Sequence, residues 1–148
     1  MLKKTLYISA FLIFVLLLSS CTCFGLFEDK EFIKDVIDNF FSALNDRNWD
    51  LARSYCVFES DIYDSVSAVE ENVNNWSSEC NSVTLYFSPD ISKIDIKVKH
   101  ALTYGFLTTI VTCDDKEPHE ETEHFTISSQ KIGSSWKLLE IDFSSSND

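Results

Sequence analysis

The sequence contains little glycine, and this scarcity excludes several enzyme classes. Only three glycines occur among 148 residues, and none lies in a Gly-rich pattern whose backbone N–H groups could cradle phosphate. The chain also lacks the G-x-S-x-G turn that carries the nucleophile of α/β-hydrolases. No local signature links a histidine to a nucleophilic cysteine. The sequence therefore predicts no catalytic residue of these kinds and no cofactor.

Basic residues are also scarce. The chain has 12 Lys and Arg against 24 Asp and Glu, a net charge of −12. Nucleic-acid binding requires clustered Lys and Arg that neutralise phosphates, and attraction to anionic lipid requires a polybasic segment. The sequence shows no such cluster, so we expect no nucleic-acid partner and no polybasic patch for lipid. The acidic excess is typical of a soluble domain exposed outside the cell.

The N-terminal stretch predicts export. Lys3 and Lys4 precede an apolar run from Leu6 to Leu18, which is followed by two serines and Cys21. A basic start, a short apolar centre and small residues at the end are the three parts of a secretory signal. The apolar centre of about 13 residues is shorter than the roughly 20 needed to span a bilayer.

The four residues Leu18-Ser19-Ser20-Cys21 resemble the lipobox of prokaryotic lipoproteins. This resemblance implies that residues 1–20 are a signal peptide, that Cys21 becomes the N-terminus and carries the lipid, and that residues 21–28 form a short tether. The domain is then expected on the outer side of the cell membrane, with the membrane as a partner through that lipid.

Two alternatives remain open. No charged residue occurs from Leu6 to Phe27, and about 22 residues are long enough for an uncleaved transmembrane helix, which would be an anchor over residues 6–27. Ordinary cleaved secretion is the other alternative. In all three cases the positive charge lies before the apolar run, and the positive-inside bias puts the rest of the chain outside the cytoplasm.

Residues 29–143 predict one α+β domain, followed by a disordered tail at 144–148. Apolar residues at steps of three and four predict three N-terminal helices, and a change to alternation after Cys80 predicts an antiparallel sheet of four to five strands packed against them. Asn48 and Ser60 are predicted N-caps. The predicted helices cover 29–46, 49 to about 56 and 61 to about 76, and the strands 83–87, about 93–98, 104–113, 123–132 and 135–143.

Two segments, 40–52 and 133–138, resemble the opening helix–turn–helix and the closing hairpin of nuclear-transport-factor-2-like domains, which have a cystatin-like α+β roll. The resemblance implies a cone-shaped sheet whose pocket is closed by helices. The family includes isomerases, dehydratases, ligand binders and extracytoplasmic domains without known activity.

Four polar residues are candidates for such a pocket: Asp61, Tyr63, His100 and Tyr104. Asp, His and Tyr side chains can act as acids and bases. The alternative is that both tyrosines are core residues with their hydroxyls at the rim.

Histidine spacing does not favour a metal site. His119 and His124 are five residues apart, whereas the zinc-protease helix places its histidines four apart. On a strand, an odd separation sends the two side chains to opposite faces. We therefore expect no bound metal.

The cysteines other than Cys21 allow one favoured bridge. A helix of about 16 residues is about 24 Å long and separates Cys56 from Cys80, whereas a disulfide needs Cα atoms within about 7 Å. Cys80 precedes the first strand and Cys113 ends a later one, so this pair is the possible disulfide. Buried free thiols are the alternative.

These observations favour a non-catalytic module that binds a small apolar ligand or an envelope protein. Twelve phenylalanines make an apolar pocket plausible, with Phe40, Phe106, Phe125 and Phe143 as candidate lining residues. One alternative is a small isomerase- or dehydratase-like enzyme that uses the cone pocket. The other is a structural envelope protein without a cavity.

Overall fold

The computed structural model describes residues 28–114 and 116–144. A compact unit begins at Ile33, and of the unit before it only residues 28–32, which are helical, are described. The predicted signal peptide, the alternative anchor over 6–27 and the lipid-bearing Cys21 lie outside the described residues. None of the described helices is long and apolar enough to cross a membrane.

Three helices precede the sheet, as predicted. Helix α1 is described over residues 28–45, α2 is Trp49–Ser54 and α3 is Asp61–Glu79. The predicted caps are confirmed: the Asn48 side chain accepts from the Leu51 N–H, and the Ser60 side chain accepts from the Tyr63 N–H. Each cap satisfies a backbone donor that the first helical turn leaves without an intrahelical partner. Helix α3 continues three residues past its predicted end.

Four antiparallel strands follow in the order β1-β2-β3-β4. They are β1 Val83–Lys97, β2 His100–Cys113, β3 His119–Ile132 and β4 Ser135–Ser144. The predicted separation of strands 83–87 and 93–98 was wrong, because β1 runs through Ser88-Pro89-Asp90 and keeps Pro89 in register with Leu107. Since β1 is an edge strand, a proline nitrogen that faces away from β2 removes no ladder hydrogen bond.

Alternation along the strands separates two faces of the sheet. In β2, Ala101, Thr103 and Leu107 are buried, whereas His100 and Leu102 are exposed. The buried face packs on the helices, and we call it the inner face. The core lies between this face and the helices, and contains Ile33, Ile37, Phe40, Leu44, Ile62, Val66, Ala101, Leu107, Phe125, Ile127, Trp136 and Leu138.

Gly105 is required by a close approach on the inner face. A Cβ at this position would lie 2.3 Å from the carbonyl oxygen of Asp90 and 2.7 Å from the ring of Phe125. Two register shifts, between Ile91 and Lys93 and between Ser128 and Ser129, interrupt the regular ladders. Such bulges bend a strand and increase its twist.

Each edge of the sheet is contacted at one end by a segment from the helical region. The Asn45 amide donates to the Phe87 carbonyl oxygen at 2.9 Å and accepts from the Phe87 N–H at 2.7 Å, and Arg47 donates to the Val83 carbonyl. On the other edge, the Leu138 N–H donates to Tyr55 at 2.9 Å, and the Val57 N–H donates to Leu138 at 2.7 Å. Side-chain and loop groups thus take the hydrogen-bonding positions of Val83, Phe87 and Leu138 that another strand could have used.

Cys80 and Cys113 form a disulfide with a Cα–Cα distance of 5.6 Å. This is the pair that the predicted elements favoured, and it joins the end of α3 to the end of β2. Cys56 is the free cysteine of the described region, and it is buried. Burial raises the pKa of its thiol to about 12, because a thiolate is unfavourable in an apolar environment.

Candidate functional site

An apolar cleft of about 130 Å³ lies between α3 and the inner face of the sheet. Its lining comprises Val69, Asn72 and Trp76 from α3, Leu85 and Phe87 from β1, and Thr109 and Val111 from β2. None of these side chains ionises, and the polar groups among them are the Asn72 amide, the Thr109 hydroxyl and the Trp76 indole N–H. The cleft is therefore suited to an uncharged, apolar group.

The local structure explains how these residues meet. Val69, Asn72 and Trp76 follow steps of three and four, so they lie on one face of α3. The strand residues are paired in register, Leu85 with Val111 and Phe87 with Thr109. All four side chains project from the same side of the pleated sheet.

The disulfide holds the two walls of the apolar cleft together at one end. Cys80 lies four residues after Trp76, and Cys113 lies two residues after Val111. The Trp76 side chain remains 37% exposed, so it stands where a ligand would enter from solvent. The covalent link limits how far α3 can separate from β2 at that entrance.

A second cavity, the polar groove, lies on the opposite face of the sheet and has a volume of about 340 Å³. Three neighbouring strands, β1, β2 and β3, form this groove. Asp95 pairs with Leu102, and Leu102 pairs with Ser128, so the three side chains lie side by side on the outer face. The full lining is Asp95, Lys97, His100, Ala101, Leu102, Tyr104, Ser128 and Ser129.

The polar groove brings together two of the four predicted pocket residues, His100 and Tyr104. They are four residues apart on one strand, which corresponds to about 13 Å along β2, and Leu102 lies between them. Both project from the face that is turned away from the helices, so they do not enter the apolar cleft. The distance of about 13 Å separates their Cα atoms, and the two side chains share the lining of one groove.

The charges beside the polar groove are partly paired. The Lys93 ammonium lies 2.6 Å from the Asp95 carboxylate and 5.7 Å from the centre of the Tyr104 ring. The hydrogen bond with Asp95 raises the pKa of Lys93. The Ser128 hydroxyl oxygen is buried and has no hydrogen-bond partner within the described region.

The other two predicted pocket residues lie elsewhere. Asp61 is exposed in the first turn of α3. Tyr63 packs its ring edge-on against Phe58 at a centroid distance of 5.4 Å. Neither residue lines the apolar cleft or the polar groove.

The histidines and phenylalanines can also be placed. His119 and His124 both lie on β3, where their odd separation directs them to opposite faces, and the His124 ring lies 4.0 Å from that of Phe106. No group of three or more potential metal ligands occurs in residues 28–114 and 116–144. Of the candidate lining phenylalanines, Phe40 and Phe125 are buried in the core, whereas Phe106 and Phe143 are exposed.

The cleft residues were not predicted as a site. The sequence showed Val69 and Trp76 only as members of a helical apolar face, which is normally buried completely. The one signal of a cleft in the sequence was Trp76 at the end of that face. A large aromatic side chain at the end of an apolar helix face can form the wall of a cavity.

Solved structures with the same architecture identify the class of fold. A nuclear-transport-factor-2-like protein with a cystatin-like fold from Novosphingobium aromaticivorans is 8% identical, with a TM-score of 0.68 over 86% of this chain and 88% of the other. A conserved protein from Planctomyces limnophilus is 16% identical, with a TM-score of 0.64 over 79% and 98%. A nuclear-transport-factor-2-like protein of unknown function from Shewanella oneidensis is 14% identical, with a TM-score of 0.59 over 78% and 98%.

The described domain therefore has the cystatin-like α+β fold found in nuclear-transport-factor-2-like proteins. At these identities the likeness concerns the fold alone, and function has to be argued from the site. No protein-family profile matches the chain, and no curated protein matches it.

Proposed function

We propose that the domain is a non-catalytic binding module that receives a small apolar group, such as an aromatic ring or the end of an acyl chain, in the apolar cleft. The observation that carries this proposal is the lining of the cleft, which has no ionisable side chain. An acid or base that could act on a bound molecule is therefore missing from its walls. Binding without chemistry is what this lining supports.

The volume of the apolar cleft sets the size of the ligand. A dry apolar cavity of about 150 Å³ accepts a benzene molecule, and the cleft has about 130 Å³ with an open side. A six-carbon ring or a short piece of acyl chain would therefore fit with its remainder in solvent. For so small a probe we expect millimolar affinity, corresponding to about 4 kcal/mol.

The proposed location is the outer face of a membrane. It rests on the basic start, the apolar run and Cys21, all of which precede the described domain. Cys21→Ala should abolish incorporation of labelled fatty acid and release the protein from the membrane fraction. Retention of the unlabelled variant would instead support the transmembrane anchor over residues 6–27.

Titration of the full-length protein with benzene tests the cleft. The indole N–H signal of Trp76, assigned with Trp76→Phe, should shift and saturate in NMR spectra. Val69→Phe places a ring in the cleft and should remove the saturable shift. Val98→Phe is the matched control, because it makes the same substitution at an exposed position. A linear, non-saturating shift, or an identical curve for Val69→Phe, would refute ligand uptake by the cleft.

A small isomerase- or dehydratase-like enzyme is the second candidate, because His100 and Tyr104 line one groove. We rank this function below binding, because the Cα atoms of the two residues are about 13 Å apart along the strand. A screen of small carbonyl compounds by NMR distinguishes the two. A compound that perturbs both His100 and Tyr104, and is converted more slowly by His100→Ala, would favour the enzyme.

A further inference from the structure

Lysines that are dispersed in the sequence lie together at one end of the sheet. The β1–β2 and β3–β4 turns are neighbours, since His100 pairs with Gln130 and the Lys131 N–H donates to the Lys99 carbonyl at 2.8 Å. We call this end the basic tip, and it consists of Lys97, Val98, Lys99, Lys131 and Ile132.

The basic tip carries positive charge on an acidic protein. Lys93 and Lys137 flank it, so five of the chain's 12 Lys and Arg residues lie in segments 93–100 and 130–137. Those two segments contain one acid, Asp95, which is paired with Lys93. These lysines form no polybasic run in the sequence, because antiparallel pairing, and not the order of residues, brings them together.

Two apolar side chains project from the same surface. Val98 is 89% exposed and Ile132 is 50% exposed, and each directly follows a lysine. Lys131 also lies over the Trp136 ring, with its ammonium 5.7 Å from the ring centre. Exposed aliphatic groups framed by lysines match the chemistry of a membrane interface, where acyl chains lie beneath charged headgroups.

The backbone at Val98 supports a role for its exposed side chain. Its φ angle is +56°, and a β-branched residue in this left-handed region is a genuine outlier. Glycine or asparagine would occupy the position with less strain. An exposed, strained valine contributes nothing to the core, so its presence points to an interaction outside the domain.

We propose that the basic tip docks on a membrane surface containing anionic phospholipid. Val98 and Ile132 enter the interfacial layer, and the lysines of the tip lie among the phosphates. Removal of each lysine should weaken docking about fivefold at low ionic strength, with screening by salt. This docking does not depend on what the apolar cleft binds.

Lysine acetylation of the full-length protein tests the proposal. The protein is reconstituted into vesicles of phosphatidylcholine alone or mixed with phosphatidylglycerol, and acetylated lysines are quantified by mass spectrometry. Labelling of Lys97 and Lys99 should fall severalfold only in the anionic vesicles and recover in high salt. Lys116, near the opposite end of β2 and β3, is the internal control and should label equally in both. Equal labelling of the tip lysines in the two vesicle types would overturn the proposal.

Two variants sharpen this test. Lys97→Gln combined with Lys99→Gln should expose Lys131 to labelling in anionic vesicles, whereas Lys116→Gln should not. Val98→Asn should raise the thermal midpoint, since asparagine tolerates the left-handed region, yet also expose Lys131. If Val98→Asn stabilises the protein and leaves Lys131 protected, valine does not enter the membrane and the proposal fails. The benzene titration is unaffected by these changes, so the two proposals fail separately.

Discussion

Removal of the Cys80–Cys113 disulfide should cost the domain a large share of its stability. The bond closes a sequence separation of 33 residues. In the chain-entropy treatment, a loop of this length confers about 4 kcal/mol at 25 °C by restricting the unfolded chain. Small domains have total unfolding free energies of about 5–15 kcal/mol. The double variant Cys80→Ala, Cys113→Ala should therefore remain folded at 25 °C but with a much lower midpoint.

Urea unfolding followed by circular dichroism measures this loss, with the same non-ionic detergent present for both proteins. We expect the double variant to lose about 4 kcal/mol and to show faster amide exchange in the last turn of α3. Reductant should lower the stability of the original protein to that of the variant and leave the variant unchanged. A loss below about 1 kcal/mol would refute the entropic argument, since the loop length alone predicts several times more.

Three further predictions concern single residues. Asn45→Ala should cost about 2 kcal/mol in urea unfolding, because two hydrogen bonds to Phe87 of about 1 kcal/mol each are lost. Gly105→Ala should cost about 3 kcal/mol, because its Cβ would overlap both the β1 backbone and the Phe125 ring. Burial raises the pKa of Cys56 to about 12, so native Cys56 should resist alkylation at neutral pH. The folded state keeps the Cys56 proton that the unfolded state loses, so this contribution to stability should be full below pH 9 and decline as the pH rises towards 12.

Each of these predictions has a matched comparison. Asn48→Ala removes only a helix cap and should cost about 1 kcal/mol without promoting aggregation, whereas Asn45→Ala should promote it by uncovering a strand edge. Gly133→Ala adds the same methyl group in open space, and only strain at its positive φ should be seen. A Cys56→Ala variant should lack the decline above pH 9 that is specific to the thiol. Equal costs for the two glycines, or parallel pH curves for the two proteins, would contradict the structure.

Local signals in the sequence predicted the helical half of the domain well. Asn48 and Ser60 act on donors within three residues, so their roles as caps follow from composition and position alone. Pro89 misled the prediction because its effect depends on whether the strand is central or at an edge, which the sequence does not state. The location of β1 at the edge is a consequence of the whole strand order.

The candidate sites depended even more on tertiary pairing. His100 lay between two predicted strands, so the sequence did not place it on the same face as Tyr104, whereas β2 includes both. Which face of β2 meets the helices is decided by the partners of Ala101 and Leu107. The basic tip was invisible in the sequence because Lys99 and Lys131 are 32 positions apart and meet only through the β2–β3 register. The apolar cleft likewise arises from the fit between α3 and the sheet.

The hydrogen bonds at the two edges of the sheet bear on self-association. At the proposed membrane location, domains would share an orientation and diffuse in two dimensions, so identical strand edges would meet at high local concentration. Asn45 occupies the edge hydrogen-bonding groups of Phe87, and the segment around Cys56 occupies those of Leu138. Pairing of two copies through these parts of β1 or β4 would have to displace the contacts, which opposes assembly of neighbouring molecules edge to edge.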